Sequence, residues 1–265
     1  MTPFIVDDPD DPRIAAYRNI RERDLVGRHG RFIAEGKVVL DLLLSARRFE
    51  AESALVLESR LPGLQRTLAK AEADMPVYVV PRQVMDAVAG FPVHRGVLAI
   101  GRRRDEGSAE ALLSSLPAHA LVVVLVGIAN HDNMGAIFRN AAAFGADAVL
   151  CDETCCDPLY RKAIRVSVGA ALKVPFADAG PRERLVEMLA AGGFSQVALS
   201  PQGRTDIRDL TRRDRMALFL GTEGDGLPDD LMQRLETVRI PISERFDSLN
   251  VATAAAIALH EIRNR

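Results

Sequence analysis

With 265 residues, 48% hydrophobic and 26% charged, the chain has the make-up of an ordinary globular protein and room for two cored domains or one large one. A net charge of −2 argues against a generally polybasic nucleic-acid binder. No apolar run approaches the roughly 20 residues that span a bilayer, and the acidic start MTPFIVDDPDDP lacks the basic region of a secretory signal, so a cytoplasmic protein is expected. The average conceals an asymmetry. Residues 13–105 hold 17 Lys+Arg against 11 Asp+Glu, whereas residues 106–265 hold 17 against 21. Arginine supplies 30 of the 34 basic residues, which suits phosphate and base contacts, although a GC-rich coding bias would give the same excess.

Residues 1–12 read as a flexible N-terminus. From there strands and helices alternate: a strand at 31–35, a helix at 36–46, strands at 54–58 and 77–80, helices near 61–73 and at 82–89, and a last strand at 96–101. This pattern predicts a small α/β module over residues 13–103, with His94 and Arg95 exposed before its last strand. Residues 104–118 read as a linker, with Gly, Ser and a closing Pro117.

Past the linker, residues 121–126 (LVVVLV) form an unbroken β-branched run, the mark of a strand buried on both faces. The polar stretch Asn130-His131-Asp132-Asn133 follows, then a helix over 134–144 stopped by Gly145, and a strand over 146–150. Cys151, Cys155 and Cys156 cluster next. Without a CxxC pair or a fourth ligand they read as reduced structural thiols, and no metal site is expected. A second buried strand ends in the loop of MALFLGTEGDGLP (216–228), which carries three glycines and Glu223. The third segment is IPISERFDSLNVATAAAIALHE. Ser248 is its expected N-cap, Asn250 falls on the first turn, and Ala252, Ala254, Ala255, Ala256 and Ala258 make a thin helix against which another backbone can lie.

These three segments resemble the signature motifs of the SpoU (TrmH-like) branch of the SPOUT RNA methyltransferases. The first matches through Asn133, Gly135, Arg139, Ala141 and Phe144-Gly145. The second matches through Leu220-Gly221, Glu223-Gly224 and Gly226-Leu227, and the third through Ile240-Pro241 and Ser248-Leu249-Asn250-Val251. Asn140, Ile242 and Ala252 depart from residues frequent in the family, but none removes a polar group assigned to chemistry. The resemblance covers about residues 118 to 265. It implies an α/β SPOUT catalytic domain over 119–265, with a mostly parallel sheet and a deep trefoil knot. The module over 13–103 resembles, less specifically, the small substrate-recognition domain often fused ahead of it.

The resemblance further implies S-adenosylmethionine as methyl donor and a ribose 2′-hydroxyl of rRNA or tRNA as acceptor. It places cofactor contacts on Gly221, Ile240 and Leu249, with Leu199 added from the preceding strand end together with Ser200. It gives Arg139 the central catalytic role, with Asn133, Glu223, Ser248 and Asn250 orienting Arg139 and the ribose. A guanidinium is a donor with a pKa above about 12, so either it sheds its proton transiently or it stays charged and stabilises the developing alkoxide. The second is favoured. Arg165, in a basic cluster with Arg161 and Lys162 on a helix beside the site, and Arg95 are candidate RNA contacts. The family acts as homodimers, so a homodimer is expected in which the partner subunit completes each site; membrane and DNA are not expected partners. The alternatives are RNA base methylation, or a non-catalytic RNA-binding protein on the same scaffold.

Overall fold

The computed structural model describes residues 3–18, 30–46, 48–90, 93–104, 107–243 and 245–263. Its strands are β1 (Phe4–Ile5), β2 (Arg31–Glu35), β3 (Phe49–Leu57), β4 (Val77–Val80), β5 (Val97–Arg103), β6 (Ala120–Leu125), β7 (Ala148–Cys151), β8 (Phe176–Asp178), β9 (Ser195–Leu199), β10 (Thr205–Asp206), β11 (Arg215–Leu220) and β12 (Glu236–Arg239). Its α-helices are α1 (Lys37–Ser45), α2 (Gln65–Leu68), α3 (Arg82–Ala89), α4 (Ala109–Ser115), α5 (His131–Ala143), α6 (Arg161–Val166), α7 (Ala170–Lys173), α8 (Arg182–Ala191), α9 (Asp229–Arg234) and α10 (Val251–Arg263). They fall into two compact units: Met1–Glu106 with Leu159–Lys173, and Gly107–Pro158 with Val174–Arg265.

The first unit is built on a five-stranded mixed sheet in the order β1-β4-β3-β5-β2. Strand β5 runs antiparallel to both β2 and β3, while β4 is parallel to β1 and β3. The inward residues Ile33, Leu55, Leu98 and Ile100 pack with Val84, Met85 and Val88 of α3. The described segment ahead of β2 contributes to this unit. Phe4–Ile5 add an edge strand, and Ile14 and Tyr17 are fully buried, with the Tyr17 hydroxyl 2.7 Å from Ser53 Oγ. Strand β3 begins five residues before its expected start. Glu50 and Glu52 in that extension pair with Arg102 of β5 at 2.7 and 3.2 Å. The helix expected near 61–73 is a 3-10 stretch, Glu58–Leu64, running into the short α2, because Pro62 lies inside it. His94 and Arg95 are exposed, as expected; Phe91 and Pro92 just before them lie outside the described residues.

Helices α6 and α7, although encoded in the C-terminal half, belong to this first unit. Arg161 of α6 donates from Nε and Nη2 to Glu35 Oε2 of β2, at 3.0 and 2.7 Å, and both side chains are largely buried. A Cβ on Gly169 would come within 2.6 Å of Leu42 in α1, so glycine permits the close seating of this segment. The residue before it, Val168, holds φ +53, a conformation that strains a β-branched side chain.

The second unit carries a seven-stranded, all-parallel sheet in the order β10-β12-β9-β11-β6-β7-β8. Val122, Val123, Val124 and Leu125 of β6 are wholly buried, which explains the unbroken apolar run. From β6 the chain steps outward through β7 and β8. It then crosses to β9, and β11 fills the place between β9 and β6. Strand order therefore reverses at β6, the kind of switch point where open α/β sheets form crevices beyond their carboxyl ends. Where a linker was expected over 104–118, α4 is capped by Ser108, whose Oγ accepts from Ala111 N at 3.3 Å. Helix α5 starts three residues earlier than expected because Asn130 caps it, accepting from Asp132 N at 2.8 Å. It ends at Gly145 (φ +69), with Ala146 N bonded back to Ala141 O at 2.8 Å. The thin face of α10, with Ala255 and Ala258 fully buried, lies against α5, and Asn140 Nδ2 donates to Ala252 O at 2.7 Å.

Candidate active site

Three loops close around a cavity of about 410 Å³ beyond the carboxyl ends of β9, β11 and β12. The first runs from Leu199 at the end of β9 through Ser200 to Pro201. The second leaves β11 at Leu220 and passes Gly221, Thr222, Glu223 and Gly226. The third brings Ile240 and Ile242 after β12, then Ser248, Leu249 and Asn250 before α10. The wall is thus apolar side chains interleaved with loop backbone, with a few polar groups, the general make-up of a small-molecule site. Gly221 is required by proximity: a Cβ there would lie 2.3 Å from the carbonyl carbon of Gly226.

At the mouth the polar groups converge. Asn250 Nδ2 donates to Asn133 Oδ1 at 3.0 Å and to Glu223 Oε1 at 2.5 Å. Its Oδ1 accepts from the backbone N–H of Ala252 at 3.0 Å and of Thr253 at 3.2 Å. Asn250, not Ser248, is therefore the N-cap of α10, one residue outside the helix rather than on its first turn. The cap orients the carboxamide, and the oriented carboxamide ties the ends of three loops together.

The model of the SpoU rRNA Methylase family matches residues 120–260. This chain belongs to that family. Among its relatives, an uncharacterized tRNA/rRNA methyltransferase of Mycobacterium tuberculosis strain H37Rv is 40% identical over 263 residues, spanning 96% of this chain and 89% of that protein. One from Mycobacterium bovis shows the same identity and coverage. Among solved structures, an AdoMet-bound rRNA methyltransferase from Sinorhizobium meliloti superposes with a TM-score of 0.81 at 27% identity, covering 98% of this chain and 97% of that one. An RNA 2′-O ribose methyltransferase superposes at 0.80, also 27% identical, covering 98% of each chain. The protein is an RNA methyltransferase of the SpoU family, with the α/β SPOUT architecture expected from its motifs and a smaller α/β unit ahead of it.

Of the expected site residues, Gly221, Ile240, Leu249 and Leu199 all line the cavity, as do Glu223, Ser248 and Asn250, while Asn133 reaches it through Asn250. Arg139 is not among them. It lies six residues after Asn133 on α5, roughly 240° around the helix, and shares a solvent-exposed stripe with Asp132. Its guanidinium has no ion-pair partner among the described residues. Arg165 and Arg95 are exposed in the first unit. The basic cluster expected on one helix is smaller than it looked, because Arg161 is taken up by Glu35.

Sequence reasoning missed Asp152. Its buried carboxylate accepts from Gly127 N at 3.0 Å and from the N–H and hydroxyl of Thr154 at 3.1 and 2.9 Å. It braces the loop that leads from β6 to Asn130. The Asp-x-Thr spacing, a common local turn, was the available signal. The cysteines beside it are free thiols, and Cys155 takes part in the same bracing, with Ile128 N donating to its Sγ at 3.3 Å. Its hydrogen bond to Cys151, with burial, pushes the Cys151 thiol well up, and burial pushes Cys156 up to about 12. Such thiols are protonated and poor nucleophiles at neutral pH.

Proposed function

We propose that the protein transfers a methyl group from S-adenosylmethionine to a ribose 2′-hydroxyl of structured RNA. The observation that carries this reading is the pairing of a backbone-walled cavity with the Asn133–Asn250–Glu223 cluster at its mouth. The cavity fits the donor: Leu199, Ile240 and Leu249 offer apolar contact for an adenine, and Gly221 lets the loop backbone approach a ligand closely. When bound, the cofactor supplies an electrophilic methyl on a cationic sulfonium. The chain's own part is to hold the ribose so that its 2′-oxygen lies in line with that methyl. Asn250, fixed by the helix it caps, and the Glu223 carboxylate it holds supply hydrogen-bonding groups for the sugar.

Among the described residues, no lysine or arginine lines the cavity to stabilise the developing alkoxide. Arg139, exposed and with no ion pair among the described residues, suits that role in a homodimer, where each copy lends its Arg139 to the other's cavity. This reading keeps the guanidinium charged. Arg165 and Arg95 in the first unit are the proposed RNA phosphate contacts, and a knotted path through the loops around 200, 221 and 245 belongs to the same reading.

The test is direct. The purified protein is incubated with isotopically labelled S-adenosylmethionine and total RNA from cells lacking the gene, and the RNA is digested to nucleosides for mass spectrometry. Label in a 2′-O-methyl nucleoside is expected. Label on a base would move the assignment to base methylation, and no label in any RNA would leave only a binding protein.

A further inference from the structure

We propose that Phe246 is the stacking platform for the base of the acceptor nucleotide, an inference that rests on the RNA ribose reading above. At 73% exposure it is the most exposed phenylalanine among the described residues, in a chain with only 5% aromatic residues. Most of the others are buried: Phe32, Phe49, Phe138, Phe176, Phe194 and Phe219 are all at 5% or less. A large ring left in water on a loop has no part in the core. Its position is what gives it meaning.

Phe246 sits between two stretches that wall the cavity, four residues after Ile242 and two before Ser248. The loop is turned there by local bonds: Phe246 N donates to Ser243 O at 3.0 Å, and Arg245 N to Ser243 Oγ at 3.4 Å. The ring is thus carried on the loop that supplies Ile242, Ser248 and Asn250 to the cavity wall, without being part of that wall itself. A ribose presented at Asn250 carries its base to one side, and in the proposed complex that base is set against the exposed ring of this loop. Proteins read unstacked RNA bases by laying them on aromatic rings, a contact tolerant of base identity. Arg245, next in the chain, is exposed and makes no ion pair among the described residues, so a cation for the adjoining phosphate lies beside the ring.

The rival occupant of this ring is a second copy of the chain, and the experiment separates the two. Methyl transfer to RNA is measured at steady state for the unaltered protein and for Phe246→Ala, Phe246→Leu and Phe246→Trp. S-adenosylmethionine affinity is measured by calorimetry, and particle mass by light scattering. Phe246→Ala is expected to raise KM for RNA by roughly 5- to 100-fold, with cofactor affinity and mass unchanged. Phe246→Trp restores KM and Phe246→Leu does not. An unchanged KM in the alanine variant, rescue by leucine as full as by tryptophan, or a fall in mass would each overturn the proposal. Failure of the unaltered protein to methylate RNA would remove the reading beneath it. Activity that is normal in every Phe246 variant would remove this inference alone.

Discussion

Asn250 uses both ends of one carboxamide, and the two uses can be separated chemically. Asp at this position keeps the oxygen that caps α10 but loses the N–H donors, and sets a carboxylate against Glu223. Ala removes both. We expect Asn250→Ala to lose about 1 kcal/mol of stability with the cap, and Asn250→Asp to keep most of it, while both lose methyl transfer. Thermal denaturation beside the transfer assay checks this; an active aspartate variant would show that the donors are dispensable. Tyr17 gives a second residue-scale expectation. Burial raises its hydroxyl well above the ordinary tyrosine range, with the Ser53 hydrogen bond acting in the opposite direction. Because the folded value is the higher one, the stability linked to the neutral phenol is complete below about pH 10. It drains away as pH climbs further. Urea denaturation at pH 8 and pH 11 is expected to show a loss that Tyr17→Phe lessens, after that variant's own loss of about 1 kcal/mol from the Ser53 bond.

At the scale of elements, α10 shows why small residues recur in it. Ala255 and Ala258 are fully buried in a helix that lies against α5. Ala255→Leu must push the two helices apart or leave a strained rotamer, at about 1–3 kcal/mol. A chemical denaturation curve reads the cost, and an unchanged midpoint would mean that the interface has slack. Much of this was legible beforehand. The apolar run at β6, the Gly145 stop and the three motif loops gave the catalytic sheet and most of the cavity wall. What escaped was decided at long range. Ser248 and Asn250 are comparable caps by local preference, and Asn133 and Glu223, distant in sequence, are the partners of the one that is used. The early start of β3 was hidden by Glu50 and Glu52, poor strand formers whose arginine partner lies on β5. Arg139 was legible as a motif residue, but its direction from α5 is a property of the folded helix.

At the scale of the whole molecule, the position of Arg139 makes a quantitative claim about assembly. If each subunit lends this residue to the other, a dimer of one Arg139→Ala and one Asn250→Ala subunit contains one intact site and one doubly broken site. Each variant alone is expected to be inactive. Equal mixing followed by exchange is then expected to restore about a quarter of the unaltered activity through the mixed dimers. No recovery, after exchange is verified by mass, would place Arg139 and Asn250 in the same subunit's site.

The buried pair between Glu35 and Arg161 has a consequence for how this polypeptide is made. The ribosome must extrude residue 173 before the first unit has all its parts, and by then β6 and β7 of the other sheet have already emerged. A nascent chain halted near residue 106 would hold the Glu35 carboxylate without its guanidinium and α1 without the segment that seats on it. The two units cannot be finished one after the other, as beads on a string would be. Their synthesis is interleaved, and a single cut between them yields two incomplete pieces.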